Sequence, residues 1–463
     1  MKNFVFLLLA MLLFASCETT PSKEYILFSG TISDAKSNEF TLTKYYSGLS
    51  PHEITLAEDG SFTDTITTGT GHYSFRGDGG MNVQLYLTQG GSYNITANGA
   101  NVQNLRGTAK VTGTDPDASN YLITKYKNIA RLRGDYAAFN SLNEADFTVR
   151  EKSLHESYIR RLDSFPNIPK EFADFERKEL YYYHLLALFN YESLHQRYTE
   201  QPDFTVSNDF LTELDGLNFV NEDEYKLRGS YTKLVDAHFK RKANTLAENE
   251  GIDQYLAKLK VFGAIPSDVI KNNLLVSAAK YDIGYTDNID AYYTAYLAVS
   301  TSPENDASIK EKFDALKKLS KGQPSPVFTD YVNHAGGTNS LADYKGKYVY
   351  IDVWATWCVP CLAEVPSLKK VEKQYHGKNI EFLSISIDTE QAHEAWRKMV
   401  TDKKLGGVQL LADSNWKSSF IAAYEIHSIP RFILIDPAGN IVDSNAPRPS
   451  NKNLITLFNE LGI

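Results

Sequence analysis

Cysteine is scarce in this chain, with three residues in 463. That excludes a framework of structural disulfides. A four-ligand zinc site is excluded as well, because no second cysteine pair and no His-x3–5-His run accompanies Cys358 and Cys361. No Lys/Arg cluster stands out, and the net charge is −9. Both argue against nucleic acid as a partner and against a polybasic membrane patch. No internal segment approaches the ~20 apolar residues that span a bilayer. No residue pattern recurs at a fixed period, so a helical repeat is not expected. What is abundant is aromatic: 29 Tyr and 24 Phe, within 42% hydrophobic residues. A chain of this length and composition forms two or three domains, each with its own core.

The N-terminus reads as a targeting segment. Lys2 supplies a positive start, and Phe4 to Phe14 an apolar stretch too short for a stable span. Leu13-Phe-Ala-Ser-Cys17 follows and resembles a bacterial lipobox. The resemblance implies cleavage after Ser16 and lipidation of Cys17, with 1–16 as signal peptide and 17–23 as a polar tether. Cys358 and Cys361 are then the only thiols left, which assigns that pair to chemistry.

Residues 24–115 show short alternating runs divided by Gly, Asp and Asn turns, such as Ser61-Phe-Thr-Asp-Thr-Ile66 after Asp59-Gly60. This predicts an antiparallel β-sandwich-like domain. Near Asp115 the period changes to that of helices, with Asp115 or Asp117 as the expected cap. Residues 116–321 are expected to form an all-α middle domain, with prolines between the helices as breakers. Gly322-Gln-Pro-Ser-Pro326 is the expected hinge into a last domain, 322–463. There the strand and helix signals alternate: strand 347–353, helix 358–376, strand 379–387, helix 390–402, strand 408–412, short helix 415–423, strands 431–435 and 440–443, helix 450–461.

The apolar run Tyr348-Val-Tyr-Ile-Asp-Val353 reads as a buried strand and leads into Trp354-Ala-Thr-Trp-Cys358-Val-Pro-Cys361. A Cys-x-x-Cys pair at a strand-to-helix junction is poised for thiol–disulfide exchange. Unpaired N–H groups at the helix start stabilise a thiolate on the first cysteine. Asp352 lies six residues before Cys358, Pro366 eight residues after it, and Glu364 three residues after Cys361. Ile429-Pro430 precedes the apolar run Phe432-Ile-Leu-Ile435. With Gly322, Pro326, Phe328 and Leu341-Ala-Asp-Tyr-Lys-Gly-Lys347 upstream, residues 322–463 resemble the thioredoxin superfamily, most closely its TlpA/ResA envelope branch.

That resemblance implies an α/β thioredoxin fold and a thiol–disulfide oxidoreductase. Cys358 is the implied nucleophile and Cys361 the resolving thiol. Asp352 is the implied buried acid that exchanges a proton with Cys361. Glu364 either tunes the thiols, contacts a partner, or is a solvated helix residue. Pro430 is the implied cis proline, with the Ile429 backbone pairing to substrate and Trp357 in an apolar docking rim. His427, close by, reads as a surface or packing residue. No metal and no cofactor beyond the Cys358–Cys361 dithiol is expected. The implied partners are protein thiols and disulfides, a membrane electron donor or acceptor, and a lipid anchor, with a link to cytochrome c maturation. The implied location is the cell envelope, facing the periplasm or exterior. Competing readings are an oxidase or isomerase on the same fold, a peroxidase, and a ligand-binding lipoprotein with an ancillary redox domain.

Overall fold

In the computed structural model, residues 24–45, 48–77, 81–101, 105, 107–286 and 288–463 are described. The expected signal peptide and tether, and Cys17, lie outside the described residues. The chain divides into two compact units, Met1–His238 and Phe239–Ile463. The helical stretch 116–321 is therefore shared between them.

Among the described residues the first unit begins with eight strands: β1 (Ile26–Ser33), β2 (Glu39–Lys44), β3 (His52–Thr55), β4 (Ser61–Ile66), β5 (Gly71–Gly77), β6 (Met81–Leu87), β7 (Ser92–Asn98) and β8 (Lys110–Gly113). They form two four-stranded sheets, ordered β4-β1-β7-β8 and β3-β2-β5-β6. Alternation decides which side chains go inward. Ile26, Phe28 and Ile32 of one sheet share a core with Phe40, Leu42, Phe75 and Leu85 of the other. Phe28 meets Phe75 edge-on with ring centroids 5.5 Å apart. This is the expected sandwich with one correction: β1 and β7 run parallel, not antiparallel. A parallel pair needs a long crossover, and here the intervening chain builds the whole of the other sheet and also β4 of this one.

Helices follow: α1 (Asp117–Arg133), α2 (Tyr136–Asn140), α3 (Glu144–Asp163), α4 (Lys170–Thr199), α5 (Glu222–Lys226) and α6 (Ser230–Glu250), the last crossing the division. Asn143 and Asn221 cap α3 and α5 with their side chains. Neither expected aspartate caps α1. Pro116 holds that position, and Asp117 turns instead to accept the Asn167 N–H at 3.0 Å.

The second unit continues with α7 (Gln254–Gly263), α8 (Asp268–Asp282), α9 (Ile289–Val299) and α10 (Pro303–Lys317). Its remaining strands are β9 (Tyr331–Asn333), β10 (Thr338–Asn339), β11 (Tyr348–Trp354), β12 (Ile380–Ser386), β13 (Val408–Leu411), β14 (Arg431–Ile435) and β15 (Ile441–Asp443). They form one sheet, ordered β10-β9-β13-β12-β11-β14-β15. Four helices alternate with these strands: α11 (Val359–Gln374), α12 (His393–Asp402), α13 (Ser419–Ala423) and α14 (Asn453–Glu460). Every element expected after residue 347 is present. The segment Gly322–Pro326 lies along β15, where the Gly322 N–H donates to Ile441 O at 2.7 Å and the Ser325 N–H to Gly439 O at 3.0 Å. Among the described residues no helix is long and apolar enough to cross a membrane.

Strand β11 is central, parallel to β12 and antiparallel to β14, and is buried from Val349 to Trp354. Burial on both faces is what a covered central strand requires. Tyr350, on one face, packs with Leu368 and Val371 of α11 and Leu454 and Phe458 of α14. Asp352 is two residues on, so it points to that same face, beneath α11.

Candidate active site

The C-terminal end of β11 delivers the chain into α11, and the cysteines sit at that join. Cys358 is the N-cap of α11, and its sulfur accepts the Cys361 N–H at 3.2 Å. The two are joined as a disulfide with Cα atoms 5.3 Å apart. Both are enclosed, Cys358 being 3% exposed and Cys361 4%.

Asp388, just past β12, holds the approach to the helix. It accepts the Thr356 N–H at 2.9 Å and the Thr356 and Ser386 hydroxyls at 2.7 Å each. Those bonds fix the turn between Trp354 and Cys358 from below. Trp354 is buried, whereas Trp357 is 59% exposed beside the partly exposed Trp416, ring centroids 6.4 Å apart.

Beneath α11 lies a cavity lined by Cys361, Asp352, Ser384, Gln409 and Glu372 among others, with room of about 10 Å³ for the centre of a water molecule. Asp352 is 8% exposed, and its Oδ1 has no hydrogen-bond partner among the described residues. Burial, and next the charges of Glu364 and Glu372, push its carboxyl up to about 8, while Ser384 opposite pulls the other way. Burial also pushes Glu372 up to about 7, with Lys369 working against it.

Glu364 does not line the cavity. Its carboxylate accepts the Ser450 N–H at 3.0 Å and the Ser450 hydroxyl at 2.9 Å, tying α11 to the segment before α14. The peptide Ile429–Pro430 is cis. Arg431 pairs with Val353, so this peptide lies beside the end of β11, from which the chain runs to Cys358. His427 is exposed and bonded to Glu425 at 3.1 Å, a surface residue as expected. Among the described residues no three His, Cys, Asp or Glu side chains are grouped to hold a metal ion.

A family model described as Redoxin matches residues 320–456. A thiol-disulfide oxidoreductase ResA of Bacillus cereus is 30% identical over 126 residues, 27% of this chain and 68% of ResA. The chain belongs to the ResA-like thiol-disulfide oxidoreductases of the thioredoxin superfamily. Thioredoxin-like protein YneN of Bacillus subtilis (strain 168) is 27% identical over 162 residues, 35% of this chain and 86% of YneN. Among solved structures, the thioredoxin domain of a thiol-disulfide oxidoreductase from Bacteroides vulgatus is 29% identical, covers 31% of this chain and 98% of its own, and has a TM-score of 0.28.

Three features of this ResA-like oxidoreductase escape a reading of its motifs. Asp388 carries no signal of its own, since an acid after a strand is ordinary turn chemistry. Tyr285, from the connection between α8 and α9, reaches the proline loop. Its hydroxyl is 2.9 Å from Ser428 Oγ, and the buried Arg431 guanidinium lies 5.5 Å from its ring. Glu372 was within reach of the sequence. Cys361, Val365, Leu368 and Glu372 recur at steps of four, three and four, one stripe of a helix, so a carboxyl follows the cysteine inward.

Proposed function

We propose that this oxidoreductase reduces protein disulfides in the cell envelope, anchored by a lipid on Cys17 and supplied with electrons by a membrane dithiol donor. The dithiol itself is the redox group. Disulfides of cytochrome c precursors are the substrate class that the family resemblance suggests.

The observation that carries this reading is the enclosed Cys358–Cys361 pair at the start of α11 with the Asp352 carboxyl in the cavity below it, one of its oxygens without a partner among the described residues. Helix N–H groups stabilise the Cys358 thiolate. That thiolate attacks one sulfur of a substrate disulfide, and the first substrate thiolate leaves and takes a proton from solvent. Asp352 then accepts the Cys361 proton, and the Cys361 thiolate attacks Cys358 Sγ. The mixed disulfide breaks, and the second substrate sulfur leaves with its electron pair. Two electrons have passed to the substrate, and the enzyme holds the Cys358–Cys361 disulfide. Ile429 and Pro430 border the substrate, and Trp357 with Trp416 offers it an apolar rim.

The test uses protein lacking residues 1–17, supplied with a dithiol reductant and a disulfide-bonded protein. Cys358→Ser should lose turnover at least a hundredfold, and near-wild-type turnover would remove the reading. Cys361→Ser should accumulate mixed disulfides that identify the substrates. Mass spectrometry of membrane-extracted protein tests the anchor, which an unmodified Cys17 in the mature chain would rule out.

A further inference from the structure

We propose that Glu372 is the outer station of a proton path from the dithiol, taking the Cys361 proton from Asp352 through one water and passing it to solvent beside Gly406. This rests on the dithiol reading above and extends it by one residue. Four observations point the same way. Glu372 lies on the Cys361 stripe of α11 and lines the same cavity as Cys361 and Asp352. Two enclosed acceptors in that cavity, Asp352 Oδ1 and Gln409 Oε1, have no partner among the described residues. The cavity admits about one water, and a water needs two to four polar partners, which these groups supply. Finally, Glu372 is half-buried, and the chain leaves space for its carboxylate. A Cβ on Gly406 would stand 2.1 Å from Glu372 Oε2, so a larger residue in the turn before β13 would make the carboxylate move from its present place.

The step balances without any added group. Cys361 S–H gives its proton to the Asp352 carboxylate, leaving a thiolate that breaks the mixed disulfide. Neutral Asp352 donates to the water, the water donates to the Glu372 carboxylate, and Glu372 releases the proton to bulk. Asp352 is again charged for the next cycle. Glu372 thus acts through Asp352 and not on sulfur. Both carboxyls titrate near neutrality, about 8 and about 7, so a proton moves between them with little driving force in either direction. The charged neighbours of the path are Glu364 beside Asp352 and Lys369 beside Glu372. The Lys369 ammonium is itself held by Lys403 O at 2.6 Å.

Glu372→Gln keeps the shape and removes the proton acceptor. In single-turnover reactions of the reduced enzyme with a disulfide substrate, release of substrate from Cys358 should slow about tenfold at pH 7. Formation of the mixed disulfide should not change. Added imidazole, a small diffusible base, should restore the release rate of Glu372→Gln and leave wild type unaffected. Gly406→Ala, which displaces the carboxylate without removing it, should slow the same step. It also serves if Glu372→Gln folds poorly. Wild-type release rates from pH 6 to pH 8 in a folded Glu372→Gln would overturn the path, as would a slowed release that imidazole does not restore. Cys358→Ser run alongside separates the two claims. If it is inactive while Glu372→Gln is normal, the path alone fails. If it remains active, the dithiol reading fails first.

Discussion

Glu176 of the first unit and Asp352 of the second are both buried carboxyls, 1% and 8% exposed. Their surroundings are opposite. Glu176 receives the Lys125 ammonium at 2.6 Å and the Tyr121 hydroxyl at 2.7 Å. Burial alone would lower Lys125, but Glu176 and Glu179 outweigh it and hold the lysine above its usual value. Nearby, His184 lies 3.3 Å from Glu151 and 3.2 Å from Glu213. Asp352 has no ion pair among the described residues and faces two further carboxyls instead. A buried charge with a partner holds structure, and removing the partner leaves it stranded. A buried acid among like charges gives up its charge and becomes a proton donor and acceptor near neutral pH. In the first unit these buried groups are paired as fasteners; the second fastens Asp282 to Lys258 at 3.0 Å in the same way but leaves Asp352 without a counter-charge among the described residues.

The largest effect should come from breaking a fastener. Lys125→Met keeps the side-chain volume and strands Glu176. Stability of the first unit should fall by about 3–5 kcal/mol. All four tryptophans belong to the second unit. Helix loss by circular dichroism should therefore precede the change in tryptophan fluorescence. A loss below about 1 kcal/mol would mean that pairing is not what makes Glu176 tolerable there.

The opposite substitution should stabilise the second unit. Asp352 is raised from 3.8 to about 8, so its contribution is fully present below pH 4 and lost as pH rises through 8. Asp352→Asn removes that loss. A shift of this size sets a ceiling of roughly 6 kcal/mol, and local relaxation reduces the gain to about 2 kcal/mol at pH 9. At pH 4 the two proteins should unfold alike. Urea unfolding followed by tryptophan fluorescence at both pH values measures this, and a gain independent of pH would show that Asp352 is not charged in the folded state at pH 9.

His184 should produce a smaller dependence. Burial would lower it, but the hydrogen bonds it donates to Glu151 and Glu213 raise it above 6.5. Its contribution is therefore present below pH 6.5 and fades as pH rises through the folded value. Glu151, itself raised by burial, runs the same way. Between pH 6 and pH 9 the first unit should lose about 1 kcal/mol, and His184→Gln should flatten that slope. An unchanged slope in the variant would assign the dependence elsewhere.

The same contrast governs how much the sequence discloses. The second unit is legible because its signals are local: the Cys358-to-Cys361 spacing, Asp352 on an apolar strand, Pro430 before one, and helices bounded by their own breakers. The fasteners are not legible. Tyr121 and Glu176 are 55 residues apart and meet only when α1 packs on α4. The parallel pairing of β1 with β7 is equally hidden, because alternation is the same whichever way a partner runs. Glu364 and Glu372 show both sides at once. Resemblance singled out Glu364, which bonds Ser450, while the helical stripe leads from Cys361 to Glu372.

Glu364 provides the smallest and most discriminating test. It is half-buried and has two jobs that pull apart on substitution. Its carboxylate holds Ser450 by two hydrogen bonds, and its charge is the second cause, after burial, of the raised Asp352. Glu364→Gln keeps an oxygen for one of the Ser450 bonds and abolishes the charge. Stability of the second unit should therefore fall only by about 0.5–1 kcal/mol. The Asp352 midpoint, followed by carboxyl NMR across pH, should move down. Glu372→Gln should also move it down while leaving the Ser450 bonds intact. If solvent screens Glu364 from the cavity, its variant alone will leave the midpoint in place. Asp352 would then be poised by burial and Glu372 without help from the residue that the motif brings forward, and Glu364 would join the fasteners of the first unit.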